Sequence, residues 1–429
     1  MQLLLRGLAG CQEISCPGDL REGWFLERIA GILQRVIPTS TLSIRSRAVS
    51  LWQRLLRYGQ RNQLPVSEGN DVRLLFSGGQ ILNALRVLID GAQATIHFEI
   101  YTWADDITGR DLLTRLQEAQ VRGVRVRGVV DHLGSWDAVG MLEAAGLDIQ
   151  FYHPIGWRLS WHLWQRRNHR KLLIVDGTTA VVGSANWSNE YNDEIPPKYY
   201  RDLGLELQGP IIEHLETDFQ RSWMRTGGTT SELLPIPKTA EAGPGWHHNV
   251  PIQVVSSLSG GGRALRRHLL LVLRRLKYGA VIANAYFIPD PKFLRVLLRM
   301  ARQGVKMDLI APGKSDHRFV QAASRATFGR LLQAGARIWE RRERVFHAKV
   351  AILDGDLVML GSANLDSASF RHNLELNLML HSNALAADLQ VALDEDRAKS
   401  SLLESKEWEA QPLYRRAMQR FAYLFWWWL

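Results

Sequence analysis

Residues 168–188 read NHRKLLIVDGTTAVVGSANWS, and residues 346–366 read FHAKVAILDGDLVMLGSANLD. The two stretches align from end to end without a gap. His169, Lys171, Asp176, Gly183, Ser184 and Asn186 are answered at the same spacings by His347, Lys349, Asp354, Gly361, Ser362 and Asn364. A His-x-Lys alone means little; six polar or small residues kept in register mean a duplication. Residues two apart on a strand share a face, so His169 and Lys171 point together, as do His347 and Lys349. LLIV and VAIL read as buried strands, and the Asp-Gly pairs that follow are turn signals. Each chain then returns through a second apolar strand to GSAN, whose small residues let a hydroxyl and an amide approach a ligand closely. Each copy thus presents an imidazole, an ammonium, an amide and a hydroxyl on one patch. These are a nucleophile or acid with donors for an anion, and the pattern contains no cluster of metal ligands. Two such patches across a pseudo-two-fold axis would surround one phosphodiester.

The repeat extends upstream of both motifs. The first pass places strands at Ala94–Tyr101, 123–131 and 147–152, with helices between them through 112–122 and up to 144–146. The second pass places strands at 281–288, 304–312 and 336–340, again separated by helices. The order β, α, β, α, β in both, with RGVRV answered by QGVKM and AAGLDI by QAGARI, implies two fused copies of one α/β domain. We divide the chain into a basic helical arm at 1–69, a first half at 70–224, a Gly/Pro/Thr-rich linker at 225–250, a second half at 251–395 and an aromatic tail at 396–429. The arm's arginines suit either an anionic surface or a solvated face packed on the body.

Composition bounds the partner. Of 429 residues, 53 are Lys or Arg against 43 Asp or Glu, a net charge of +10, which points to an anionic partner but does not separate lipid from nucleic acid. Tryptophan, at 15, outnumbers both tyrosine at 10 and phenylalanine at 13, and indoles favour membrane interfaces. Two cysteines, Cys11 and Cys16, cannot staple a chain of this length, so a reducing compartment is expected. No stretch is apolar enough to span a bilayer. Trp157, Trp161 and Trp164 fall on one helical face beside Arg158, Arg166 and Arg167, either as an interfacial lip or as a helix burying its indoles. The tail ends in Trp426, Trp427 and Trp428 after Arg415, Arg416 and Arg420, as an interfacial anchor or as a contact with the arm or another subunit.

The paired H-x-K-x(4)-D and G-S-x-N motifs resemble those of the phospholipase D superfamily. More narrowly, the chain is similar to bacterial cardiolipin synthases without N-terminal transmembrane helices. IHFEIYTWADD (96–106), VVDHLGS (129–135), IANAYFIPD (282–290) and RHNLELN (371–377) add to the likeness, which covers about residues 70–395. The resemblance implies two α/β/α sandwich domains related by a pseudo-two-fold axis, each a mixed sheet flanked by helices. It also implies a two-step reaction without metal or other cofactor. His169 attacks phosphorus, His347 protonates the leaving alcohol, and an incoming alcohol displaces the phosphohistidine. Lys171, Lys349, Asn186 and Asn364 would hold the non-bridging oxygens, with Ser184 and Ser362 as further candidates. Asp176 and Asp354 would support charge and loop geometry. A nucleophilic histidine also needs a carboxylate on its second nitrogen. Glu375, in the strand-like HNLELNL beyond the second motif, and Asp202, in the matching YRDLGLEL of the first half, are the candidates.

By the same resemblance the substrate is an anionic phospholipid, phosphatidylglycerol, two molecules of which give cardiolipin and glycerol. The protein is then expected as a peripheral protein on the cytoplasmic face of the bacterial inner membrane. Hydrolysis of phospholipid to phosphatidic acid, and cleavage of nucleic acid, are the alternatives with the same chemistry. The Trp-rich flank and tail argue against nucleic acid. The oligomeric state is open.

Overall fold

The computed structural model describes residues 52–53, 55–56, 64–155, 165–195, 200–229, 244–257, 263–315 and 317–429. Of the helical arm expected at 1–69, residues 52–53 and 55–56 are described and are helical, and β1 begins inside it at Val66. The rest of the arm's expected helices, the lip at Trp157, Trp161 and Trp164, and both cysteines lie outside the described residues.

In the first half the strands are β1 (Val66–Leu75), β2 (Thr95–Ile100), β3 (Arg125–Asp131), β4 (Asp148–Tyr152), β5 (Leu172–Val175), β6 (Thr179–Gly183) and β7 (Gly204–Gln208). In the second they are β8 (Trp246–Ser256), β9 (Gly279–Asn284), β10 (Lys306–Pro312), β11 (Arg337–Arg341), β12 (Lys349–Leu353), β13 (Leu357–Gly361) and β14 (Leu376–His381), with a short β15 (Ser400–Leu402) at the edge. They form one sheet in the order β15-β11-β10-β9-β12-β13-β14-β8-β1-β7-β6-β5-β2-β3-β4. From the central β1/β8 pair outward the order is the same in both directions, which is the pseudo-two-fold expected of the duplication. The parallel strands β2, β3 and β4 are joined by helices, as parallel neighbours require. β5, β6 and β7 run antiparallel, with a tight turn joining β5 to β6. β8 begins at Trp246, inside the stretch read from sequence as linker.

Period-two alternation sorts the side chains between two cores. Leu172 and Ile174 of β5 join the core under the helices Ile211–Arg225 and Asn383–Ala398, which is continuous across both halves. Leu173 and Val175 face the other way, onto the helices Gly78–Gly91 and Ile107–Val121. In β12, Val350 and Ile352 likewise join the shared core, while Ala351 and Leu353 pack in a core that the second half builds together with Trp52, Leu55 and Trp408. Burial on both faces explains why these strands read as unbroken apolar runs. It also anchors the chain on which each histidine sits.

Candidate active site

His169 and Lys171 immediately precede β5, and His347 precedes β12, whose first residue is Lys349. The backbone at each histidine is tied to the opposite half. His169 N donates to Leu374 O at 2.9 Å, and Leu374 N donates to Arg167 O at 2.9 Å. In the symmetric place, His347 N donates to Arg201 O and Arg201 N to Val345 O, both at 2.9 Å. Leu374 and Arg201 are the residues just before Glu375 and Asp202.

The carboxylates therefore cross over. His169 Nδ1 lies 3.2 Å from Glu375 Oε2, and His347 Nδ1 lies 2.9 Å from Asp202 Oδ2. In sequence each carboxylate belongs with the histidine of its own half; in space it serves the other one. Ser362 Oγ donates to Glu375 Oε2, and Ser184 Oγ donates to Asp202 Oδ1. Each carboxylate thus sits between a serine of its own half and a histidine of the other. The serines are engaged there, so they are not free donors for a phosphate oxygen.

All of these groups are buried, and the burial sets their charge. Burial, helped by Lys171, pushes the His169 imidazole down to about 4; burial and Lys349 push His347 down to about 4. Burial alone would raise the carboxyls, but His169, Lys171 and Ser362 outweigh it at Glu375 and keep it below the ordinary carboxylate range. His347, Lys349 and Ser184 do the same for Asp202. A neutral ring beside an ionised carboxylate donates from Nδ1 and keeps its lone pair on Nε2. Lys171 is lowered well below its ordinary value by burial, with Lys349 adding repulsion and Glu375 opposing it. Each histidine also feels the lysine of the other half, so the two motifs make one site.

The lysines are aimed by their own motifs. Lys171 Nζ donates to His169 O at 2.8 Å, and Lys349 Nζ to His347 O at 2.7 Å. Asn186 and Asn364 are both buried at the same site, and Asn364 Oδ1 has no hydrogen-bond partner among the described residues.

Asp176 and Asp354 lie at the far ends of β5 and β12. Asp176 accepts from the amides of Gln93, Ala94 and Thr95 at 2.7–2.9 Å, and Asp354 from those of Lys277, Tyr278 and Gly279 at 2.8–3.2 Å. Both have a φ of 51°, in the left-handed region that Asp tolerates better than most residues. They fasten the turn after the motif strand to the start of β2 or β9, away from the imidazoles.

Several residues at the site were not singled out from sequence. The Tyr191 hydroxyl lies 3.1 Å from His347 Nδ1 and 3.4 Å from Nε2, and accepts from Asn186 Nδ2 at 3.2 Å. At the aligned position the second copy carries Ser369, whose hydroxyl instead accepts from Asn364 N. The site is thus asymmetric at this point, and only the lack of a repeat match at NEY could have signalled it. His169 instead has the Tyr101 ring edge-on at 4.8 Å, with Lys171 Nζ over the same ring. Asp131 of VVDHLGS accepts from Asn168 N at 2.8 Å, and burial raises it to about 6. Beneath the first motif, fully buried Arg170 meets Glu99 at 3.2 Å. The second copy has Ala348 in its place.

Of the tail tryptophans, Trp427 and Trp428 are exposed, whereas Trp426 turns inward under the Arg371 guanidinium at 5.2 Å. No helix among the described residues is long and apolar enough to cross a membrane.

The family described as cardiolipin synthase, PLD-like domain, matches residues 85–223 and 272–397. Cardiolipin synthase B of Escherichia coli (strain K12) is 31% identical over 364 residues, covering 80% of this chain and 85% of that protein. A cardiolipin synthase of Geobacillus kaustophilus (strain HTA426) is 30% identical over 373 residues, covering 83% of this chain and 72% of that protein. The crystal structure of phosphatidylserine synthase from Haemophilus influenzae Rd KW20 is similar in fold, with a TM-score of 0.67 at 15% identity, over 87% of this chain and 97% of that one.

Proposed function

The chain belongs to the phospholipase D-like cardiolipin synthases, and from that premise we propose a stepwise phosphatidyl transfer between two phosphatidylglycerol molecules on this site. It is a phosphatidyltransferase of phospholipid synthesis. The observation that carries the mechanism is the pair of imidazoles, each neutral and each backed by a carboxylate from the other half.

In the first step the His169 Nε2 lone pair attacks phosphorus. The P–O bond to the headgroup glycerol breaks, and His347 gives that oxygen its proton. In the second step a glycerol hydroxyl of the other lipid attacks phosphorus, His347 takes the hydroxyl proton, and the P–N bond breaks. The products are cardiolipin and glycerol. Lys171, Lys349, Asn186 and Asn364 stabilise the charge on the non-bridging oxygens. Ser184 and Ser362 act one step back, by fixing the carboxylates. Asp176 and Asp354 hold the motif strands in place.

Tyr191 supports this assignment of the histidines. Its hydroxyl stands beside both ring nitrogens of His347, which suits an acid and base that shuttles a proton. His169 is held through Nδ1, which leaves Nε2 as the nitrogen for attack. An anionic phosphodiester in the site favours the protonated form of His347, so substrate binding supplies the charge state the acid needs.

Membrane association follows from the family's lipid substrates, and the cytoplasmic face of the inner membrane is where we place the enzyme. Incubation of the purified protein with phosphatidylglycerol vesicles and EDTA tests the reaction, with cardiolipin and free glycerol as the expected products. Phosphatidic acid alone would replace synthesis by hydrolysis. Cleavage of DNA with no lipid turnover would overturn the lipid reading.

A further inference from the structure

The C-terminal helix Leu413–Tyr423 touches the body through a narrow strip in which Gln419 and Ala422 are buried. Its other side is open: Leu413 is 78% exposed, Phe421 57%, Leu424 67% and Trp427 51%. With Met418 and Trp428 these recur mostly every three or four residues, so they form one stripe. Phe319, its ring 5.8 Å from Phe425, widens it. An exposed apolar patch of this kind marks an interaction surface. Residues 410–429 carry Arg415, Arg416 and Arg420 and no acidic residue. Aromatic and apolar groups edged by arginines fit the headgroup region of an anionic bilayer. A second copy of the same stripe would bring arginines against arginines.

The inner side of this segment reaches the second motif. Ala368 N donates to Leu429 O at 2.8 Å, and Ser367 Oγ donates to Trp427 O at 3.2 Å. Tyr423 OH donates to Pro289 O at 2.8 Å. Ser367 and Ala368 directly follow the GSANLD run, where Asn364 N bonds Ser369 Oγ and Leu365 N bonds Asn284 Oδ1. Pro289 closes the segment containing Tyr286, whose ring lies 6.4 Å from that of His347. The tail is therefore hydrogen-bonded to both segments that frame the second half-site.

We propose that the open stripe of the C-terminal segment docks on an anionic phospholipid surface, and that docking steadies the second half-site through the carbonyls of Trp427 and Leu429. Only the turnover arm of the test rests on the assigned reaction.

The test uses the full chain with vesicles of phosphatidylglycerol or of phosphatidylcholine, reading co-sedimentation and hydrogen exchange at 364–371. The wild type should prefer phosphatidylglycerol, and its exchange at 364–371 should slow several-fold on binding. Replacing Arg415, Arg416 and Arg420 by Gln should weaken binding to phosphatidylglycerol vesicles by about tenfold or more. F421S/L424S/W427S should do the same and lose the slowed exchange. Ser367→Ala should bind as the wild type does but lose both the slowed exchange and several-fold in vesicle turnover. Unchanged vesicle binding by the two surface variants overturns docking, as does a change from dimer to monomer with vesicle binding intact. Bound wild type with unchanged exchange overturns the coupling. Docking and slowed exchange without lipid turnover would overturn the assigned reaction and leave this inference standing.

Discussion

His169 Nδ1 lies 3.2 Å from Glu375 Oε2, although the two belong to different copies of the repeat. The reciprocal pair, His347 with Asp202, is 2.9 Å apart. Each histidine is thus oriented by the half that does not contain it, and neither half holds both members of a histidine–carboxylate pair. Fusing the copies in one chain and joining them through β1 and β8 fixes both crossed pairs at once.

Glu375→Gln should therefore impair His169, and Asp202→Asn should impair His347. Both carboxylates raise the pKa of the ring they contact, so either substitution moves that histidine's titration below about 4. At neutral pH the nucleophile is deprotonated in any case, so Glu375→Gln costs orientation and stabilisation of the developing positive charge. We expect turnover to fall by roughly 10²-fold in each variant. Histidine NMR resolves the pairing. A shift of the His347 titration in Glu375→Gln, with His169 unmoved, would contradict the crossing.

Most of this site is legible in sequence because its chemistry lies at the ends of strands whose residue types repeat. His169, Lys171, Asn186 and their counterparts in the second copy declare themselves through spacing alone. Asp202 and Glu375 emerge from matching strands, yet their crossing does not, because a repeat gives the two halves but not the axis between them. The backbone pairs at Asn168/Leu374 and Arg201/Phe346 decide it, and no residue pattern encodes a bridge between two irregular segments. Ser184 and Ser362 read as phosphate donors for a related reason. A small polar residue at GSAN fits a ligand as well as a buried carboxylate, and only the neighbouring strand chooses between them. Tyr191 lies where the copies diverge, so the comparison that reveals the rest is silent there.

His169→Ala and His347→Ala should both abolish turnover, but only the first should prevent trapping of a phosphorylated enzyme after an alkaline denaturing quench, which spares the P–N bond. His347→Ala should still accumulate some covalent intermediate when the headgroup is a good leaving group that needs no protonation, such as p-nitrophenol. A trapped phospho-enzyme in His169→Ala and none in His347→Ala would reverse the roles.

Tyr191→Phe removes one hydroxyl from the side of His347 and leaves His169 untouched. Turnover should fall by about tenfold or more, through kcat rather than KM, while phospho-enzyme formation from the activated substrate stays near wild type. The burial-raised pKa of Tyr191 keeps its proton in place at neutral pH. A uniform loss in both steps would point to a structural role instead.

Asp176→Ala leaves three amides at the start of β2 without their acceptor. Because Gln93 and Ala94 are exposed, water can take part of the load, and we expect a stability loss of about 1–2 kcal/mol. Asp176→Asn keeps an acceptor and tolerates the left-handed backbone, so it should lose less. Turnover per folded molecule should change little in either. A large fall in kcat with stability unchanged would return Asp176 to the chemistry.

Acid should destabilise the protein through its buried imidazoles. His169 and His347 are held at about 4 in the folded chain, against about 6.5 when unfolded. Below about pH 6.5 the unfolded chain takes up protons that the folded one does not, so stability falls towards pH 4 and this contribution then levels off. Asp131 and Asp366, raised by burial to about 6 and about 7, act in the opposite sense, since the folded state holds their protons more tightly. A single melting curve against pH therefore mixes the two. The difference between wild type and a His169→Gln/His347→Gln variant isolates the imidazoles. The wild type should lose melting temperature relative to the variant as pH drops from 7 to 5. Parallel curves over that range would mean that the folded histidines titrate near their ordinary value and that the neutral, carboxylate-backed pair is not the resting state.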